Sequence, residues 1–264
     1  MDVPLHGLSG MRNLLRPRNL RELRRFVAPP GVVLAFDFDG TLAPIVSSRG
    51  QARMRASTRR LFRQVAQLYP CVVISGRAYR DVAGRVGSIG PIRLIGNHGM
   101  EWKANDGACE RAKRQALEWE RELRHALCSW PGIQVENKGP TLAVHYRHSP
   151  DRPRAREAIL EATQRLRGVR RVGGKAVLNL LPRTGLDKGR ALERVQRMLR
   201  CERALFIGDD VTDEDAFILG QGEKKDRLIG VRVGRKRGSA AQFFVSAQQE
   251  IDRLLRILGE ARRG

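Results

Sequence analysis

The chain has no apolar run near the ~18 residues that a membrane helix needs, so no spanning segment is expected. Its first residues lack an apolar stretch followed by a small-residue cleavage site, so a secretory signal is not expected either. It has only four cysteines, Cys71, Cys109, Cys128 and Cys201, widely scattered and never as C-x-x-C. That excludes a zinc cluster and a disulfide framework, and it suits a reducing cytoplasm, the expected location. Acidic residues are scarce: 28 against 50 basic ones, a net charge of +22. Such a charge attracts polyanions. Yet there is no zinc finger, no RNA-binding signature and no basic run interleaved with aromatics, and arginine is spread along the whole chain. The surplus is therefore read as arginine on solvated faces, with no specific nucleic-acid partner expected. It also creates a field that would draw in anionic substrates such as phosphate esters.

What is present is enough for a real core: 264 residues, 41% of them hydrophobic, in one large domain or two modest ones. Residues 1–29 form a basic extension whose Leu14, Leu15, Leu20, Leu23 and Phe26 fall at helical spacing. The spacing predicts a helix docked on its own core, ended by Pro29-Pro30-Gly31. Beyond the break, strands are expected at Val32–Phe36, Cys71–Ile74, Ile92–Ile95, Ala204–Ile207 and Leu228–Val233. Helices are expected at Arg55–Leu68, Lys188–Leu199 and Ala247–Leu258. Alternating strands and helices predict an α/β fold, a Rossmann-like parallel sheet covered on both faces.

The middle breaks that rhythm. Asn105-Asp106-Gly107, between Met100–Lys103 and Ala108–Arg111, reads as a hairpin turn. Helices at Lys113–Leu127 and Arg154–Leu166 and strands at Ile133–Glu136, Thr141–Arg147, Val169–Val172 and Val177–Leu180 complete an α+β pattern. We expect an inserted α+β cap domain at 101–181, in a Rossmann-like core of 30–100 and 182–264.

Open parallel sheets bind ligands beyond the carboxyl ends of their strands. Four polar clusters stand at such ends or at helix starts: Asp37 and Asp39; Ser75-Gly76-Arg77; Lys188; and Asp209, Asp210 and Asp213. Converged in one crevice, the aspartates would repel each other by about 4 kcal/mol per pair at ~4 Å and an intermediate dielectric. A cation must offset that, and carboxylates with waters describe a Mg2+ site. A carboxylate beside a metal and a lysine can attack phosphorus and form an aspartyl-phosphate. A second carboxylate two residues on can protonate the leaving oxygen and then activate water. Gly40 would admit phosphate to backbone N–H groups, and the Thr41 and Ser75 hydroxyls would add donors. Competing motifs fail. Asp209–Asp215 lacks the spacing and glycine of a calcium loop, Gly173-Gly174-Lys175 lacks the rest of a P-loop, and no G-x-S-x-G surrounds Ser75.

In this order, "DFDGT" (37–41), Ser75, Lys188 and "GDDVTD" (208–213) resemble the four motifs of the haloacid dehalogenase superfamily. That resemblance implies Asp37 as nucleophile, Asp39 as general acid/base, Ser75 as phosphate donor and Lys188 as charge neutraliser. It also implies Mg2+ on the Asp37 carboxylate, the Asp39 carbonyl and Asp209, with Asp210 and Asp213 in support. "ISGR" (74–77), "GNHGMEW" (96–102), "ENKGPTLAVHYR" (136–147) and "FIGDDVTDEDAF" (206–217) resemble the trehalose-6-phosphate phosphatase family. Membership would make Gly76, Arg77, Asn97, His98, Lys138, His145 and Arg147 candidates for phosphate or sugar contacts, or for supporting them. The chain departs from the family pattern once: Asn179 stands where a late cap segment usually has a sugar-gripping Glu. Asn still donates and accepts hydrogen bonds but has lost the charge and a methylene.

The expected function is a Mg2+-dependent phosphatase for trehalose 6-phosphate, acting through an aspartyl-phosphate as a monomer on a small sugar phosphate. Asn179 keeps a sucrose- or mannosyl-type ester as the alternative, and the positive charge a nucleic-acid-binding protein with a vestigial phosphatase core.

Overall fold

The most apolar stretches of the chain stack side by side in its centre. Val32–Phe36, rich in β-branched residues and buried throughout, is the central strand β2. A strand buried on both faces is what a parallel sheet covered by helices requires. The computed structural model describes residues 10–46, 49–103, 107–174, 176–222 and 225–263. In chain order the core elements are β1 (Arg12–Asn13), α1 (Pro17–Val27), β2, α2 (Ala56–Leu68), β3 (Cys71–Ile74), α3 (Tyr79–Val86) and β4 (Ile92–Ile95). An excursion follows: α4 (Gly107–Ala126), β5 (Gln134–Asn137), β6 (Leu142–His145), α5 (Arg152–Gln164), β7 (Val169–Gly174) and β8 (Val177–Pro182). The chain then returns through α6 (Lys188–Leu199), β9 (Arg203–Gly208), α7 (Glu214–Phe217), β10 (Leu228–Val233), β11 (Phe243–Val245) and α8 (Ile251–Arg263).

The core sheet is parallel and seven-stranded, in the order β1-β11-β10-β9-β2-β3-β4. Alternate residues of β2 enter opposite layers. Leu34 and Phe36 join the side holding α1, α2 and α8, with Leu23, Phe62 and Leu254. Val33 and Ala35 join the side holding α6, with Leu192 and Val195. Strand order reverses between β2 and β9, which makes their carboxyl ends the topological switch point where such sheets bind ligands. The Asp37 amide donates to the Ile207 carbonyl at 2.8 Å, which ties the two strand ends together.

The second sheet is antiparallel, in the order β5-β6-β8-β7. Leu142, Val144 and Leu180 point to one face and pack with Trp119 and Leu123 of α4 and Ile159 of α5. Ala143, His145, Val177 and Asn179 point to the other face. α1 docks as the leucine spacing predicts: Pro17 stands in its first turn, and Leu14, Leu23 and Val27 are buried in the core.

The hairpin expected around residues 100–111 does not form. Ala108–Arg111 belongs to the first turns of α4, whose Cys109, Ala112, Ala116, Trp119 and Leu123 form a buried stripe at three- and four-residue spacing. Ala, Glu, Arg and Lys are good helix formers, so a few residues that could border a turn are absorbed by a helix with a core to cover. Asn105 and Asp106 of that turn, residues 1–9 of the basic extension and Lys175 lie outside the described residues. The short elements β1, α3, α7 and β11 had no expectation attached. All four cysteines are free, and no helix among the described residues is long and apolar enough to cross a membrane.

Phe62 is fully buried and meets Phe36 edge to face at 5.0 Å between ring centroids, joining α2 to the central strand. Phe62→Ala should lower unfolding stability by about 3–5 kcal/mol. A urea midpoint left unchanged would show that this layer is not part of the cooperative core.

Candidate active site

Asp37 and Asp209 stand on neighbouring strand ends because β2 and β9 are paired, with Phe36 opposite Ile207. Lys188 reaches them from the opening residue of α6, a helix capped by the Asp187 carboxylate on the Arg190 amide. Its stem crosses the apolar layer and its ammonium ends 2.9 Å from Asp37 and 2.6 Å from Asp213, with 1% of its side chain exposed. Burial alone would push the ammonium's pKa down. The charges and hydrogen bonds of Asp213 and Asp37 outweigh it, so the pKa rises and Lys188 stays charged.

One lysine does not balance the acids. Asp37, Asp209 and Asp213 offer oxygens within 4.8 Å of one another. Burial, partly opposed by Lys188 and reinforced by Asp213, raises the pKa of Asp37 to about 7. Burial together with Asp37, Asp213 and Asp210 raises that of Asp209 to about 9. An all-oxygen, anionic set with unbalanced charge fits a hard divalent cation, whose binding would restore both carboxylates to their charged forms. Asp39 and Asp210 keep their carboxylates out of this set. Asp210 caps the following turn through the Asp213 amide, while Asp213 accepts from the Asp210 amide at 2.8 Å.

Asp39 is gripped by Arg77. Nε and Nη2 of Arg77 each donate to one carboxylate oxygen at 2.6 Å, a bidentate pair, and Nη1 donates to Asp81 at 2.7 Å. With 3% of its side chain exposed, Arg77 lies behind the cavity wall and addresses Asp39 rather than the open space. Ser75 is fully buried and its Oγ accepts from the Arg77 amide at 3.2 Å. Gly40 has φ +80° and lies so close to the Asp209 carboxylate that a Cβ there would overlap it. Thr41 donates from Oγ1 to Asp209 at 3.4 Å, and its carbonyl accepts from Gln248 at 2.8 Å.

Above the carboxylates lies a cavity of about 190 Å³. Its floor includes Asp37, Asp39, Gly76, His98, Lys188, Asp209 and Asp210, and its roof is the open face of the second sheet, with Lys138, His145, Arg147 and Asn179. A Cβ on Gly76 would strike the His98 ring, so glycine is needed for that close approach. His145 Nε2 lies 2.7 Å from Glu136, across the paired strands β5 and β6. Asn97 does not line the cavity. Fully buried, it donates to Glu101 and to the Lys138 carbonyl at 2.7 and 2.9 Å and accepts from Thr141 at 3.0 Å. It ties the core to the loop that carries Lys138, whose Nζ donates to the Gly76 carbonyl at 3.4 Å. On the other flank, Arg170 of β7 grips Asp215 of α7 in a bidentate pair, 2.5 Å at its shorter contact. These ties hold roof to floor. Glu101 and Asp215 lie inside "GNHGMEW" and "FIGDDVTDEDAF" but had no role assigned, and nothing local in the sequence marks Arg170.

The family described as trehalose-phosphatase matches residues 35–249, which holds both strand-end clusters and the whole roof. The chain belongs to the trehalose-phosphatase family. A trehalose-phosphate phosphatase of Mycobacterium marinum is 36% identical over 237 residues, 82% of this chain and 60% of that protein. That of Mycobacterium tuberculosis is 33% identical over 242 residues, 86% and 62% of the two. The chain thus spans about 60% of the length of these curated relatives. The C-terminal domain of C. albicans trehalose-6-phosphate phosphatase superposes with a TM-score of 0.78 at 22% identity, over 96% of this chain and 99% of that one. The sucrose-phosphatase of Synechocystis superposes at 0.57 with 15% identity, over 88% and 98%. Both likenesses show the fold, a haloacid dehalogenase-like core with a cap.

In this trehalose-phosphatase family member the raised carboxyl pKa values couple the site to stability. A carboxyl whose folded pKa lies above its unfolded value stabilises the fold in acid and loses that contribution as pH rises through the folded pKa. Asp37 and Asp209 should therefore erode the stability of the metal-free protein between about pH 4 and about pH 9. The Tm gain on adding Mg2+ should be larger at about pH 9 than at about pH 6, and Asp209→Asn should abolish most of it. Differential scanning calorimetry checks this; a Mg2+ shift that ignores pH would contradict the assignment.

Proposed function

We propose that this protein is a Mg2+-dependent phosphatase that hydrolyses trehalose 6-phosphate through an aspartyl-phosphate on Asp37. The observation that carries this reading is the buried Lys188 between Asp37 and Asp213 beside Asp209, beneath a roof bearing Lys138, His145, Arg147 and Asn179. Membership of the trehalose-phosphatase family supports the choice of sugar.

Asp37, Asp209 and Asp213 would hold Mg2+ with the Asp39 carbonyl, Asp210 supporting them through the turn it caps. The cation would supply charge neutralisation at the phosphoryl oxygens. Lys188 holds Asp37 with one carboxylate oxygen engaged and, together with the cation, would keep the carboxylate ionised for attack on phosphorus. As the Asp37–phosphorus bond forms, the ester P–O bond breaks and Asp39 gives its proton to the leaving sugar oxygen. In the structure Arg77 holds both Asp39 oxygens, so Asp39 must turn at least one oxygen out of that pair to exchange a proton with the sugar oxygen. Asp39 then takes a proton from water, whose oxygen attacks phosphorus. The acyl-phosphate P–O bond breaks, releasing phosphate and restoring Asp37. Gly40 and Thr41 shape the loop over Asp209, Gly76 and His98 face the cavity, and the buried Ser75, which does not line it, braces the turn through the Arg77 amide. A closed roof limits water until the sugar has left.

The roof would select the sugar. Asn179, 6% exposed and facing the cavity, offers a donor and an acceptor where the family pattern has an acceptor with charge. That substitution favours the second reading, a sucrose- or mannosyl-type ester, on which the same chemistry would run.

Asp37→Asn should cut turnover by at least about 1,000-fold while far-UV circular dichroism stays unchanged. Near-wild-type turnover in that variant would exclude the aspartyl-phosphate route. Among trehalose, sucrose and mannose phosphate esters, trehalose 6-phosphate should lead in kcat/KM by at least about tenfold, and Asn179→Ala should raise its KM about two- to tenfold at little cost in kcat. A flat ester profile would reject the assigned sugar.

A further inference from the structure

Strand β10 reads Leu-Ile-Gly-Val-Arg-Val, and every residue in it is buried. Its Arg232 is the anomaly: a guanidinium 6% exposed in a strand otherwise made to fill a core. Burying such a charge is costly unless it is paired and its donors are met. Arg232 is opposite Gly208 in the pairing of β10 with β9, so its side chain emerges beside the loop that follows β9. There Nη1 donates to the Asp210 carbonyl at 3.1 Å and to Glu214 Oε1 at 2.8 Å, and Nη2 donates to the Asp209 carbonyl. Glu214 is fixed in turn: its Oε2 accepts from the Ala240 amide at 2.8 Å.

We infer that Arg232, held by Glu214, is a positioning residue that aims the Asp209 carboxylate at the Asp37–Asp213 pair and so sets the affinity of the site for its divalent cation. This rests on the reading of the carboxylates as a Mg2+ site. The guanidinium binds the backbone carbonyls of Asp209 and Asp210, not their carboxylates. It therefore fixes the direction of Asp209 without neutralising the charge a cation needs. An arginine suits this task because one planar fork spans two carbonyls and a carboxylate together. A lysine at 232 would bring one compact charge that can pair with Glu214 but cannot bridge all three acceptors. Glu214→Gln leaves a single acceptor oxygen for the two donors, Arg232 and the Ala240 amide, so one of them loses its partner. Partners that orient metal ligands from behind commonly set affinity by about 10- to 100-fold.

The test is Mg2+ titration by calorimetry of the metal-free full chain, for wild type, Arg232→Lys, Glu214→Gln and Asp209→Asn, with the Tm of each metal-free protein. Arg232→Lys and Glu214→Gln should each bind Mg2+ about tenfold more weakly, while Asp209→Asn binds none. In turnover assays the Mg2+ concentration for half activation should rise in parallel, with the sugar-phosphate KM at saturating Mg2+ unchanged. A merely structural arginine would lower Tm and leave the Mg2+ affinity of the folded protein in place. The positioning role is overturned if wild type binds Mg2+ through Asp209 and every folded variant of the pair binds it within about twofold of wild type. Absence of Mg2+ binding by wild type would overturn the metal reading and this role together. Glu214→Gln reads the same role should Arg232→Lys fail to fold.

Discussion

A buried ammonium between two aspartates is the interaction on which the rest of this structure depends. Lys188 brings its charge through an apolar layer to meet Asp37 and Asp213, from the first residue of a helix that packs on the central strands. Removing Lys188 would leave the buried Asp37 and Asp213 carboxylates without their counter-charge. The pair also leaves a deficit. One positive charge faces a group of aspartates, and the raised pKa values of Asp37 and Asp209 express what is missing. A protein built for stability alone would have no reason to collect these carboxylates. On the proposed reading, a site for a cation and a phosphoryl group does.

The arginines nearest the site act mainly from behind it. Arg77 fixes Asp39, Arg232 fixes the carbonyls of Asp209 and Asp210, and Arg170 ties the roof to α7. The carboxylates of Asp37 and Asp209 remain turned toward the centre. This is a physical division of labour: guanidinium forks supply direction, and Lys188, with a cation, supplies charge. On the proposed reading specificity would belong to the other sheet, whose open face presents Asn179 and His145 in adjacent strands while its opposite face is held by α4 and α5. Asn97 and Lys138 set where that face stands relative to the floor.

Much of this was legible beforehand because it is written in local pattern. Val32–Phe36, Cys71–Ile74, Ile92–Ile95, Lys188–Leu199 and Leu228–Val233 fall where periodicity puts them, and most other major elements shift by a few residues at their ends. Ala247–Leu258 is displaced further: its first residues form a short turn, and α8 begins at Ile251 and runs on to Arg263. The first turns of α4 were misread because a turn-forming dipeptide is a local signal, whereas the stripe from Cys109 to Leu123 acts only once a sheet is there to receive it. The edge strand β1 and its neighbour β11 are too short to carry a period. Arg77 and Asn97 stand in motifs that mark them as candidates, yet neither lines the cavity, and their partners, Asp39 in one case and Glu101, Lys138 and Thr141 in the other, are side-chain choices that no spacing encodes.

By itself the sequence determined which chemistry is available. Paired aspartates after an apolar strand, a lysine at a helix start and a second acidic cluster after another strand supply a set of acids whose mutual repulsion, once they converge, demands a counter-charge. Only the tertiary structure decided how the acids divide their tasks. Asp213 meets Lys188, Asp210 caps a turn, and Asp39 is bound by Arg77. The reason is distance: β2 lies far along the chain from β9 and the start of α6, and the pairing of β2 with β9 and the packing of α6 on them bring these ends within a few ångströms. Electrostatic roles fall off over just that range, so they exist only after folding.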